Sequence, residues 1–205
     1  MSCNKKPKLL VIADENIEQI DILTRRIMFC FAEISLNNEA KKLLRQIDNF
    51  GRTWEASNYG RKFHLADLNK PEDINHIINL ITRLRPTVKL FIEYTISSDI
   101  TQSKANLLQK SITTLRNNNY RYDSVKWLIE NSDEYANLIR ADVLTANKHM
   151  TIVADVFCNI FARKLSDGLN TEDLSELHRR LKPLVRLEYI ITQSETLTRN
   201  GIDVI

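Results

Sequence analysis

Apolar positions along the chain follow two patterns, and each pattern predicts a different kind of element. Continuous apolar or β-branched runs predict buried strands. They occupy residues 8–14, 25–36, 87–96 and 123–131. Apolar residues at spacings of three and four predict helices with one buried face. These helices occupy residues 37–50, 69–86, 103–119, 132–148, 149–168 and 170–197, the last with a break near Pro183.

Glycine and proline set several of the predicted boundaries. Pro71 lies in the first turn of one helix and Pro86 follows its last turn, which are the positions that proline favours around a helix. Gly51 is predicted to end the helix that begins after Asn37. The polar stretch 51–64 is predicted to be an exposed loop or a short strand.

The order of these elements predicts an α/β fold with a mixed sheet that opens with a hairpin and is flanked by helices. Strands 8–14 and 25–36 are about ten residues apart, a separation that suits an antiparallel pair. The predicted domain covers residues 1–168. Residues 169–205 are predicted to be a C-terminal helical extension packed on that domain.

Composition and charge limit the classes of protein to which this chain can belong. The 205 residues include 29 Lys and Arg against 26 Asp and Glu, a net charge of +3, which is too small for binding nucleic acid by overall charge alone. The three cysteines have no metal-binding spacing, so we expect reduced thiols in a cytoplasmic protein. No apolar run is long enough to span a membrane, and no glycine-rich phosphate loop is present.

Asp155 is an unusual charge, because it lies within one of the most apolar stretches of the chain. On a helix, Thr151, Asp155, Asn159 and Arg163 recur every four residues and form one narrow polar stripe. A buried carboxylate is costly unless it is paired, hydrated or bound to a metal. The stripe therefore predicts a pairing of Asp155 with Arg163 or another base, hydration, or contact with acids at the strand ends.

Several other acids are predicted to lie at or near strand ends, where open sheets place their ligands. They are Asp14 and Glu15, Glu93, and Glu130. Converging carboxylates repel one another unless cations neutralise them, and oxygen ligands suit Mg²⁺ or Mn²⁺. Two such ions about 4 Å apart can activate water and stabilise the leaving oxygen in phosphodiester cleavage.

Four short motifs resemble an uncharacterised RNase H-like family with an N-terminal Asp-Glu-Ser-Gly motif. They are "VIADEN", "FHLADL", "LIENSDE" and "TIVADVFCNIFARKL", which occur in the family's order between residues 8 and 165. The resemblance implies an RNase H-like sheet and metal-dependent nuclease chemistry. Asn16 and Ile17 stand where the family has Ser and Gly. This departure is compatible with an inactive member of the family.

The resemblance also implies a role for each matching residue. Asp14 corresponds to the acid of the first strand, Glu15 to the acid after it, His64 to the motif histidine and Asp155 to the helix acid. We therefore expect Asp14, Glu15 and Asp155 to bind the metal, and His64 to position water or phosphate. The middle acid stays open among Glu130, Asp133 and Glu93.

The sequence thus predicts a metal-dependent nuclease or nuclease-like protein that acts on nucleic-acid phosphodiesters. Two alternatives remain. One is a non-catalytic α/β module that binds another protein. The other is a PIN-like nuclease, because "LLVIADENI" also resembles the first strand of that fold. Basic residues among the leucines of 177–190 further predict a homodimer or partner contact through the C-terminal helix.

Overall fold

Two long antiparallel strands begin the fold. In the computed structural model, which describes residues 8–65, 71–118, 124–129, 149–166, 172–191 and 196–200, strand β1 (Lys8–Gln19) pairs with β2 (Arg25–Ser35). The predicted hairpin is confirmed. The strand β1 is longer than predicted, however, because pairing with β2 continues from Asp14 to Gln19, so Asp14 lies within the strand and does not end it.

Helices and strands then alternate along the chain. The remaining helices and strands that the structure describes are α1 (Asn38–Ser57), α2 (Pro71–Leu84), β3 (Thr87–Thr95), α3 (Ile100–Asn118), β4 (Ser124–Ile129), α4 (Ile152–Leu165), α5 (Glu172–Leu181), β5 (Val185–Ile191) and β6 (Thr196–Asn200). The helix predicted at 132–148 lies outside the described residues. None of the described helices is both long and apolar enough to cross a membrane.

The described strands form one mixed, open sheet in the order β4-β1-β2-β3-β5-β6. Strand β4 runs parallel to β1 and β5 runs parallel to β3, whereas the other neighbours are antiparallel. Helices cover both faces of this sheet. The predicted α/β class with a mixed sheet flanked by helices is therefore confirmed.

Side chains alternate between the two faces of the sheet, and each face has its own core. On the α4 face, Leu10 and Ile12 of β1 pack in a large core shared with α1, α2, α4 and α5. On the α3 face, Leu9, Val11 and Ala13 pack in a smaller core shared with α3. The parity of a residue in β1 thus decides which core it faces.

The prediction of a wholly helical C-terminal extension is wrong. Helix α5 ends at Leu181, a short 3₁₀ turn follows, and the chain continues as β5 and β6. Strand β5 pairs with β3, from Val88 to Glu93. The run "VRLEYII" is rich in β-branched and aromatic residues, and the free edge of β3 supplies the hydrogen-bonding partner that a helix assignment ignores.

Gly51 does not end a helix as predicted, because α1 continues to Ser57. A Cβ atom on Gly51 would lie only 2.8 Å from the Cβ of His149 and from the Cδ1 of Ile152. The glycine therefore allows α1 to pass close to the segment that begins α4. The first part of the predicted loop 51–64 is accordingly helical.

Candidate functional site

Asp14 projects from the middle of β1 toward α4. It lies on the same face as Leu10 and Ile12, is paired across the sheet with Cys30, and is only 9% exposed. The Cys158 thiol of α4 donates a hydrogen bond to the backbone carbonyl of Asp14, with a distance of 3.1 Å between Sγ and O. Strand β1 and helix α4 are therefore in direct contact at this residue.

Asp155 lies on α4 and is 2% exposed, yet its carboxylate is well supplied with donors. The backbone N–H of Leu65 donates to Oδ2 at 3.0 Å, and the side-chain amide of Asn159 donates to Oδ1 at 3.0 Å. The Nδ1 atom of His64 lies 3.2 Å from the same Oδ1. The predicted pairing with Arg163 is not found among the described residues.

The two aspartates influence each other electrostatically. Burial, followed by repulsion from Asp155, raises the pKa of Asp14 to about 7. The positive charge of Lys62 and a hydrogen bond from the backbone of Glu15 act in the opposite direction, and the Glu15 charge raises the pKa further. Near neutral pH, Asp14 is thus divided between its protonated and ionised forms.

Glu15 is oriented differently from the other predicted ligands. As the next residue of the strand it faces the α3 side of the sheet, where its Oε1 lies 2.6 Å from Nζ of the buried Lys104. Strand alternation separates Asp14 and Glu15, since consecutive side chains point to opposite faces. The structure brings Asp14, His64 and Asp155 together and does not add the Glu15 side chain to them.

Of the three candidates for the middle acid of the site, the structure describes only Glu93. Glu93 pairs with Ile27 on β2 and therefore shares the α3 face with Glu15. Its pKa is raised by burial, and the charge of Lys110 opposes that shift. Glu130 and Asp133 lie outside the described residues. Strand β4 is described as far as Ile129, whose partner on β1 is Ala13, the residue before Asp14.

Within the described parts of the chain, no three His, Cys, Asp or Glu side chains gather closely enough to hold a metal ion. Asp155 contacts His64, whose side chain is 50% exposed, and interacts electrostatically with Asp14, but these three side chains do not form such a group.

Some residues of this site were not assigned a role from the sequence. Asn159 follows Asp155 by one helical turn, and the polar stripe on α4 was the signal that could have identified it. The role of Lys62 could not be inferred, because only the tertiary structure places it near Asp14. Cys158 is fully buried, and its pKa is raised by burial and by its contact with Cys30, so its thiol stays protonated.

No protein-family model, no curated protein and no solved structure matches this chain. The function is therefore inferred from the geometry of the site and the chemistry of its side chains.

Proposed function

We propose that this protein is a metal-dependent nuclease, or a nuclease-like protein, of the RNase H-like kind that acts on nucleic-acid phosphodiesters. Asp14 and Asp155 are the proposed ligands of Mg²⁺ or Mn²⁺. One observation carries the proposal: two carboxyl groups, 141 positions apart in the chain, are buried close enough for one to raise the pKa of the other. Bringing like charges together in a buried place is unfavourable, and a divalent cation would relieve it.

The chemistry of these side chains fits such an ion. Mg²⁺ commonly uses one or two carboxylates and keeps several of its waters, so two aspartates are a sufficient protein contribution. An ionised carboxylate has about four acceptor positions. Leu65, Asn159 and His64 use three positions on Asp155, which leaves one for a cation. Asp14 must lose its proton to bind, so metal affinity should fall below about pH 7.

His64 supplies the acid–base group of the proposal. When Asp155 is ionised it can only accept hydrogen bonds, so the contact at 3.2 Å requires the Nδ1 atom of His64 to carry the proton. The neutral ring then has Nε2 free of a proton and able to accept one from water. A bound divalent ion would supply charge stabilisation at the phosphate and lower the pKa of a water. Asp155 would orient His64, and Asn159 would hold Asp155 in place.

A nuclease-like protein that binds without cleaving is the second candidate. The observation that favours it is the position of Glu15, whose side chain is paired with Lys104 on the opposite face of the sheet. The replacement of the family's Ser and Gly by Asn16 and Ile17 agrees with that reading. Metal binding without cleavage would select this second candidate over an active nuclease.

Thermal unfolding in the presence of Mn²⁺ tests the metal site. For the wild type we expect a stabilisation of about 2.7 kcal/mol when the free ion reaches about 100 times its Kd. Asp14→Asn and Asp155→Asn should each abolish most of this increment, because each removes a ligand charge. Glu15→Gln should keep the increment, although the loss of its ion pair with Lys104 lowers the starting stability. A wild-type melting temperature that does not change up to millimolar Mn²⁺ would contradict the site.

Cleavage of a fluorescent oligonucleotide tests the reaction. If Asp155 is a ligand, Asp155→Asn should remain folded and lose Mn²⁺-dependent cleavage. Circular dichroism provides the control for folding. Retention of wild-type cleavage by folded Asp155→Asn would exclude the catalytic role, whereas a variant that unfolds would point to a structural one.

A further inference from the structure

A second feature of α4 lies directly beside the carboxylates. A groove of about 240 Å³ runs between the outer half of β1 and the C-terminal half of α4. Asn16 and Glu18 line it from β1, and Asn159, Arg163 and Ser166 line it from the helix side. Asn16 is two positions beyond Asp14 on the same face of the strand, and Asn159 is hydrogen bonded to Asp155. The groove therefore lies next to the candidate site.

The acid in the groove, Glu18, is already paired with a buried arginine. Arg26 is 1% exposed, and its Nη2 contacts Glu18 as well as the backbone carbonyl of Ala162 and the hydroxyl of Ser166. The Ser166 hydroxyl also lies 2.7 Å from Glu18. Glu18 thus belongs to a network that ties the outer part of β1 to the end of α4. Its negative charge is balanced by the guanidinium beneath the groove.

Arg163 contributes the remaining charge of the groove. Its side chain is half-buried and makes no hydrogen bond or ion pair with the residues that the structure describes. It lies two turns beyond Asp155, about 12 Å along the helix axis. A guanidinium that lines a groove and has no partner among the described residues can bind a phosphate in two-pronged geometry.

We propose that this groove binds the phosphate backbone of a single nucleic-acid strand, with Arg163 holding a phosphate next to the reacting segment. The inference rests on the proposed function, since it assigns a path to the substrate of the same site. The strand would pass Asp14 and Asp155 and continue along α4. Asn16, whose amide can donate and accept, and Asn159, whose Oδ1 can accept, would contact the sugar or base edges. Arg163 is a positioning residue and touches no reacting atom.

Fluorescence anisotropy of a labelled single-stranded oligonucleotide, measured in EDTA, tests the groove without metal or cleavage. For Arg163→Gln we expect roughly tenfold weaker binding, the lower range for loss of a hydrogen bond to a charged group. The slope of log K against log salt concentration should decrease by about 0.7, the value for one phosphate contact on a single strand. Arg163→Lys should keep most of the slope. Lys164→Gln is the matched control, since Lys164 is exposed and does not line the groove.

The outcomes separate this inference from the proposed function. A reduced slope for Arg163→Gln with an unchanged slope for Lys164→Gln supports the groove. Equal slopes for wild type and Arg163→Gln, or equal losses in the two Gln variants, overturn it, as does the absence of wild-type binding at low salt. The metal-dependent nuclease fails instead in the Mn²⁺ melting and cleavage assays, which do not depend on the salt slope.

Discussion

Asp155 shows how a single buried carboxylate is accommodated in an apolar helix. The backbone N–H of Leu65 and the amide of Asn159 donate to it, and His64 lies within hydrogen-bonding distance. Hydrogen bonds to an ionised carboxylate are stronger than those between neutral groups, so they offset much of the cost of burial. Two of these three groups come from the segment before α2, about 90 positions away in the chain. The residue is thus held by two long-range contacts and by Asn159 one turn away, and within the described part of the chain Arg163 does not contact it.

Asp14 gives a prediction about pH. Its pKa is about 7 in the folded protein, against 3.8 for an unperturbed group. The unfolded chain therefore releases this proton at lower pH than the folded chain, and Asp14 makes stability fall as pH rises from about 4 to 7. The difference corresponds to about 4 kcal/mol at most. Asp14→Asn should match the wild type at pH 4 and be more stable than it at pH 8, as measured by urea unfolding.

Asp155→Asn and Asp21→Asn serve as controls for this prediction. Asp155→Asn removes the repelling charge, so it should lower the pKa of Asp14 and the pH range over which stability falls. Asp21 is an exposed acid at the tip of the hairpin, where hydrogen bonds from Thr24 and Leu23 lower its pKa. The stabilisation that Asp21 gives to the folded state has the opposite pH dependence, because it is lost as pH falls. An Asp14→Asn variant whose stability follows the wild-type pH profile would refute the raised pKa.

At the scale of elements, α1 contacts the segment that begins α4. Glu55 of α1 is paired with His149, with 3.2 Å between Oε2 and Nε2. Gly51 lies one turn before Glu55, and a Cβ atom there would be only 2.8 Å from His149 and Ile152. Helix α4 begins three residues after His149 and carries Asp155. The position of that carboxylate therefore depends on this contact as well as on the packing of α4 against β1 and β2.

Gly51→Ala tests this fit. In an open helix, this change would stabilise the protein by about 1 kcal/mol. Here the added methyl would lie 2.8 Å from His149 and Ile152, so we expect a loss of about 1–3 kcal/mol, as for an overpacked core. Asn49→Ala, at an exposed position of the same helix, is the control and should be neutral or slightly stabilising. Equal stability of Gly51→Ala and the wild type in urea would show that α4 shifts without cost.

At the scale of the whole molecule, the C-terminal part of the chain returns to the sheet. Strand β5 pairs in parallel with β3, and Val185 and Ile190 are buried in the core of the α4 face. Tyr189 stacks on Phe91 of β3 on the other face, with 4.7 Å between ring centroids. The last strands thus contribute to both cores, and the sheet depends on residues that were predicted to form a helical extension packed on the domain.

Val185→Asp and Arg186→Asp distinguish a strand in the core from a helix on the surface. Val185 is 1% exposed, so an aspartate there would be buried without a partner and should cost at least about 3 kcal/mol. Arg186 is exposed, and the same substitution should change stability by no more than about 0.5 kcal/mol. Urea unfolding provides the measurement. Similar stabilities for the two variants would contradict the placement of β5.

Local patterns predicted most of the elements that the structure describes. Helix α2 begins at Pro71 and ends before Pro86, as the spacing of its isoleucines and its prolines indicated. The hairpin and strands β3 and β4 were also predicted from apolar and β-branched runs. Periodicity is a property of neighbouring residues, so it can be read without knowing the fold. The same patterns drew attention to Asp14 and Asp155, whereas His64 was identified by the motif resemblance.

The tertiary structure decided which of these residues meet and which segments become strands. Glu15 is next to Asp14 in the sequence, but the alternation of β1 turns its side chain to the opposite face and toward Lys104. The segment after Leu181 has a pattern compatible with a helix, yet the unpaired edge of β3 made it a strand. These outcomes depend on partners that are distant in sequence, and a local pattern carries no information about such partners.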